Sequence, residues 1–63
     1  MKISIIIPTF NRAKYLDFTL KTCLNQTYED AEFIIHDDCS SDETEKISKK
    51  YCALDKRFNY YKL

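Results

Sequence analysis

The chain has 63 residues, with ten basic side chains against ten acidic ones and a formal net charge of zero. That length allows one small domain, and the balanced charge gives no electrostatic ground for binding nucleic acid or an anionic membrane. No apolar run approaches the roughly 20 residues of a membrane span. The opening MKISIIIPTF also lacks the length and small-residue cleavage site of a signal peptide.

The first segment, Ile3 to Ile7, is continuously apolar and β-branched. It predicts a strand of a parallel sheet covered on both faces, stopped by Pro8. Asn11 is a candidate N-cap for the next segment. From Arg12 to about Asn25, apolar residues recur at Ala13, Leu16, Leu20, Cys23 and Leu24, the stripe of an amphipathic helix. Asp17 and Lys21 stand at i,i+4 spacing on its polar side. Ala31 to His36 predicts the second strand. Ser40 and Glu43 then have the spacing of a capping box. The helix they would start buries Ile47, Tyr51 and Leu54, with acidic residues early and Lys49 and Lys50 late to complement its dipole. After a turn at LDKR, FNYYKL predicts a third strand, with Tyr60 and Tyr61 pointing to opposite faces.

Strand, helix, strand, helix, strand makes two consecutive βαβ units, half of a doubly wound α/β sheet. In a strand order 3-2-1 both helices lie on one face. The other face is then left uncovered, to be met by a longer fold or by self-association into a homo-oligomer.

The chain contains no glycine. That excludes the dinucleotide-binding G-x-G-x-x-G loop, the phosphate loop G-x-x-x-x-G-K-[ST] and the nucleophile elbow G-x-S-x-G. The three cysteines, Cys23, Cys39 and Cys52, are odd in number and widely spaced, and they read as ordinary thiols of a cytoplasmic protein. His36 and Cys39 have H-x-x-C spacing, but no second close pair accompanies them to build a metal site.

What remains lies at the carboxyl ends of the first two strands, where open α/β sheets bind ligands. One loop carries Pro8, Thr9, Phe10, Asn11 and Arg12, the other Asp37, Asp38, Cys39 and Ser40. An aromatic ring and a carboxylate suit a nucleobase better than a phosphate, which needs donors and positive charge. Each residue also has a plainer reading. The acidic pair can be solvated loop residues, Ser40 a helix cap, Phe10 a core ring, Arg12 a solvated first-turn residue, and His36 a packing residue at the sheet end.

SIIIPTFNRAKYLDFTLKTCLNQTYEDAEFIIHDDCSSDET resembles the opening of a family 2 glycosyltransferase, a group of inverting enzymes with the GT-A fold. The marks are the apolar strand into PTFNR, the helix exit LNQTYED and the strand into DDCSSDET, in that order and spacing. The resemblance implies that residues 1–63 are the N-terminal nucleotide-binding portion of such a domain. The intact enzyme would transfer a sugar from a nucleotide-diphosphate donor, with UDP as carrier, to the hydroxyl of a saccharide or lipid-linked acceptor. It implies that Pro8, Thr9 and Phe10 line the base, with Phe10 stacking on it. Asp38 would accept a base N–H, Asp37 would shape the loop or contact ribose, and Asn11 and Arg12 would hold the loop or approach the nucleotide. It also implies a divalent metal, Mg or Mn, and a catalytic base, both held by residues beyond Leu63, since no D-x-D tripeptide occurs here. This chain alone is then inactive. The family commonly has glycine where this chain has Cys39. The alternative is a stand-alone α/β module that binds nucleotide or drives oligomerisation without catalysis. A phospho-receiver domain places its acidic pair after the first strand, not the second, and is set aside.

Overall fold

A computed structural model describes residues 2–63. The elements are β1 (Ile3–Thr9), α1 (Ala13–Leu24), β2 (Ala31–Asp37), α2 (Thr44–Leu54) and β3 (Phe58–Lys62). The three strands form one parallel sheet with β2 in the centre. Order β1-β2-β3 is the expected 3-2-1 order read from the other edge. The register aligns Ile5 with Phe33, Ile7 with Ile35 and Thr9 with Asp37. It also aligns Phe33 with Phe58 and Ile35 with Tyr60. Odd-numbered side chains of β1 and β2 therefore share a face with even-numbered side chains of β3.

One face carries the core: Phe33, Ile35 and Phe58 from the sheet, Leu16 and Leu20 from α1, and Tyr51 from α2. The Phe33 and Phe58 rings pack with centroids 5.1 Å apart, and Tyr51 lies 5.7 Å from Phe58. Tyr51 ties the helices together, its hydroxyl donating to Asp17 Oδ1 at 2.8 Å. Asp17 thus faces α2, with Lys50 Nζ 3.9 Å away, rather than serving the expected pair with Lys21. On the opposite face Ile6 is 66% exposed, and His36 and Tyr61 are also open. Tyr60 and Tyr61 do separate, the first half-buried and the second exposed.

β1 departs from the expected strand covered on both faces. Even its helix-side residue Ile5 is 41% exposed. β1 is a sheet edge. β3 is an edge too, yet its Phe58 is buried beneath Tyr51; α2 covers β2 and β3 and leaves the β1 edge open. The edge position explains why Pro8 sits inside the strand, paired in register with His36, instead of ending it.

Both expected helix starts also differ. α1 begins at Ala13 after Arg12, with no side-chain cap from either Asn11 or Arg12. α2 begins at Thr44 after Glu43, again with no cap from Glu43, so the Ser40–Glu43 capping box does not form. Asp42 serves both helices: Oδ1 accepts the Thr44 N–H at 3.0 Å, and Oδ2 accepts the Ala13 N–H at 3.2 Å. The buried stripe of α2 is Thr44, Ser48 and Tyr51, while Leu54 is 61% exposed. Ser48 can be buried because its hydroxyl donates to the Thr44 carbonyl at 2.8 Å.

At the amino end of the sheet, Arg57 locks the α1–β2 connection. Its guanidinium donates to the carbonyls of Gln26 (2.9 Å), Tyr28 (2.8 Å) and Leu24 (3.3 Å). It also pairs with Asp55 at 2.9 Å and lies over the Phe33 ring. The functional end is thereby left to the other pole of the sheet.

Candidate functional site

The register brings the carboxyl ends of β1 and β2 level, so the loops that follow them meet. Among the described residues, four backbone N–H groups donate across the loops and join them. The Asp38 N–H donates to the Thr9 carbonyl at 3.0 Å. The Asn11 N–H donates to Ser40 Oγ at 2.8 Å, and the Ser41 N–H donates to Asn11 Oδ1 at 2.8 Å. Ala13 reaches Asp42 in the fourth, already described. Two residues in this seam, Asn11 (φ 48°) and Cys39 (φ 60°), take left-handed backbone conformations. Asparagine tolerates that region; cysteine does so against crowding at its Cβ. Cys39 therefore takes, with a Cβ, a conformation that glycine takes freely.

An open cleft of about 770 Å³ lies against this seam. Pro8, Thr9, Phe10, Arg12 and Asp38 all line it. The Phe10 ring is 53% exposed and so presents a face to the cleft rather than filling the core. Asp38 is exposed, and among the described residues its carboxylate enters no hydrogen bond or ion pair. Arg12 lies with its guanidinium carbon 5.9 Å from the Tyr15 ring centroid, which gives the mouth of the cleft a positive edge.

Two expected site residues stand apart from the cleft. Asn11 is occupied in the seam, through both its backbone and its side chain. Asp37 is 0% exposed. Its Oδ1 accepts the Ser40 N–H at 2.9 Å and its Oδ2 accepts the Tyr60 hydroxyl at 2.6 Å. Burial pushes the Asp37 carboxyl up, but hydrogen bonding from Ser40 and Tyr60 outweighs it and holds the group below the usual aspartate range. Asp37 is thus a buried anchor, and the acidic pair divides into one structural and one accessible carboxylate. Strand alternation carries this signal: Asp37 shares the parity of Phe33 and Ile35, and Asp38 lies past the end of β2.

Sequence reasoning missed His36, Tyr15, Thr19 and Leu63 as lining residues. His36 was readable from the same alternation, because it points to the face opposite Asp37 and is exposed. Tyr15 and Thr19 lie one helical turn apart on α1, on the side next to Leu16. Among the described residues, no group of three or more His, Cys, Asp or Glu side chains could hold a metal ion. Among the described residues, no helix is long and apolar enough to cross a membrane.

Comparison with known proteins places these features in one family. The model of glycosyl transferase family 2 matches residues 4–63. A protein of Campylobacter jejuni, named GalNAc(5)-diNAcBac-PP-undecaprenol beta-1,3-glucosyltransferase, is 40% identical over 60 residues, covering 95% of this chain and 19% of its own length. The poly(ribitol-phosphate) beta-N-acetylglucosaminyltransferase TarS of Staphylococcus aureus is 42% identical over 53 residues, covering 81% of this chain and 9% of its own length. Among solved structures, the mannosyltransferase PcManGT of Pyrobaculum calidifontis, in complex with GDP-Man and Mn2+, superposes with a TM-score of 0.85. It is 20% identical and covers 97% of this chain and 19% of its own, which shows a shared GT-A fold. The chain therefore spans a fifth or less of the length of these relatives. With a family model matched from residue 4 to the last residue and the loops and strands disposed as described, this chain belongs to glycosyl transferase family 2.

Proposed function

We propose that residues 1–63 form the base-recognition half of a nucleotide-sugar site, the N-terminal portion of a GT-A transferase domain. The observation that carries this reading is the pairing of an open Phe10 ring with an accessible Asp38 carboxylate in one cleft. The ring offers a stacking face to the base, and the carboxylate accepts N–H donors from its Watson–Crick edge. Uracil presents one such donor and guanine two, whereas adenine presents an acceptor at its ring nitrogen. UDP is the favoured carrier by family resemblance. GDP is the second candidate, because the structural neighbour is a complex with GDP-Man.

Pro8 and Thr9 form the floor beneath the base, and Arg12 stands at the mouth, where the diphosphate would extend. In the intact enzyme the sugar would pass to an acceptor hydroxyl with inversion at the anomeric carbon. A divalent cation would neutralise the departing diphosphate, and a general base would take the acceptor proton. Both are assigned to other parts of a longer family member, since this chain spans a fifth or less of the length of these relatives. A reducing, cytoplasmic setting is part of this proposal, drawn from the odd number and wide spacing of the cysteines.

The test is a titration of this chain with UDP, GDP and AMP, followed by amide chemical shifts. UDP should give saturable shifts at Thr9, Phe10 and Asp38, GDP weaker ones, and AMP none. Phe10→Ala should weaken binding by roughly 5- to 150-fold, the range of one base–aromatic stack, and Asp38→Asn by about tenfold or more. A folded spectrum that ignores both UDP and GDP defeats the reading.

A further inference from the structure

Tyr60 lies on β3, outside the two loops and outside the cleft lining. Its ring stands on the helix-covered face, in register with Ile35, and its hydroxyl reaches diagonally to Asp37 Oδ2 at 2.6 Å. From there hydrogen bonds run on to Asn11, whose sequence neighbours line the cleft. Asp37 Oδ1 holds the Ser40 N–H at 2.9 Å, Ser40 Oγ holds the Asn11 N–H at 2.8 Å, and Asn11 Oδ1 holds the Ser41 N–H at 2.8 Å. Asn11 lies between Phe10 and Arg12, and Ser40 lies two residues from Asp38. The three flanking residues named are cleft residues.

We infer that Tyr60 is a positioning residue for the nucleotide site, acting through Asp37 and Ser40 to fix the backbone of the Phe10–Arg12 loop. The inference rests on the proposed base-recognition role of that loop. Its physical basis is that both connections pass through left-handed residues, Asn11 and Cys39. Such conformations persist only where surrounding bonds over-determine them. Asp37 supplies that constraint, but a fully buried carboxylate needs a donor on each oxygen to stay in place. Tyr60 is the donor for Oδ2. Burial and the Asp37 charge push its phenol well above the usual tyrosine range, so it donates at every pH at which the protein is studied. A residue that only packed the core would have no need of its hydroxyl.

Tyr60→Phe removes the hydroxyl and keeps the ring. In nucleotide-free chain, amide hydrogen exchange at Ser40 and Asn11 should speed up by about tenfold or more, the value of a hydrogen bond to a charged group. Exchange at Phe33 and Ile35 should change much less. UDP binding should weaken by roughly three- to tenfold, as a loop that spends time out of place binds less well. Ser40→Ala leaves Tyr60 and Asp37 in contact and should loosen Asn11 alone. In that background Tyr60→Phe should add nothing further at Asn11. An equal change at all amides in Tyr60→Phe would reduce Tyr60 to a stabilising residue. Unchanged exchange at Asn11 in Ser40→Ala would overturn the relay even if the tyrosine variant failed to fold. If wild-type chain bound neither UDP nor GDP, the base-recognition reading would fail by itself, because the exchange pattern is read without nucleotide.

Discussion

Cys39→Gly should stabilise this chain, although cysteine is the natural residue. Cys39 holds φ 60°, where a Cβ crowds the following carbonyl. That conformation costs a residue with a side chain roughly 1–2 kcal/mol. Glycine escapes the crowding but enlarges the unfolded ensemble, which returns about 0.4–1 kcal/mol. The difference spans about 0–1.6 kcal/mol, centred on a net gain of about 0.8 kcal/mol. In a domain of this size that central gain raises Tm by about 3–6 °C. Because the Cys39 side chain is exposed, its removal opens no cavity to offset the gain. Thermal unfolding followed by circular dichroism in reducing buffer reads the shift. Cys39→Ala is the control, since it keeps the Cβ and removes the thiol. The strain argument fails if glycine lowers Tm, or if alanine raises it as much as glycine does.

Asp42→Ala should lower the urea midpoint measurably, because one carboxylate caps the starts of two helices. Glu43→Ala, which removes the glutamate of the expected capping box, should stay within about 0.5 kcal/mol. Urea midpoints of the two variants distinguish a shared Asp42 cap from the capping box. Stability should also fall in acid. Asp37, Asp42, Asp55, Glu32 and Glu45 all titrate below their usual values in the folded chain. Their contribution is therefore complete above the unfolded carboxyl range near 4, and it is lost as pH drops through the lower folded values. The half-buried thiols of Cys23 and Cys52 are pushed up by desolvation, so their contribution is complete below the unfolded thiol value of about 8.5 and is lost as pH rises through the higher folded values. Denaturation midpoints should form a plateau between about pH 5 and pH 8. A midpoint at pH 3 equal to that at pH 7 would contradict the acid limb.

The arrangement of elements was legible because period-3.6 and continuous apolar patterns follow from local geometry. Leu16 and Leu20 announced the buried stripe of α1, and Phe33 and Ile35 the core of β2. The absence of glycine removed the phosphate loops, and Pro8, Thr9, Phe10, Arg12 and Asp38 were placed together from strand order alone. Capping was not legible. Ser40 and Glu43 satisfy the local spacing, yet Asp42 takes both helix starts because the fold brings the N-terminus of α1 against it across 29 residues. The same holds for Asp37. Its neighbours in sequence suggest a pair of like charges at a strand end, while its neighbours in space are Ser40 and a tyrosine 23 residues away. Sequence determines which groups can bond, because that is fixed by residue type and local period. Only the tertiary structure decides which of several competent donors arrives, because a buried carboxylate is satisfied by whatever the packing of the sheet and helices brings within reach.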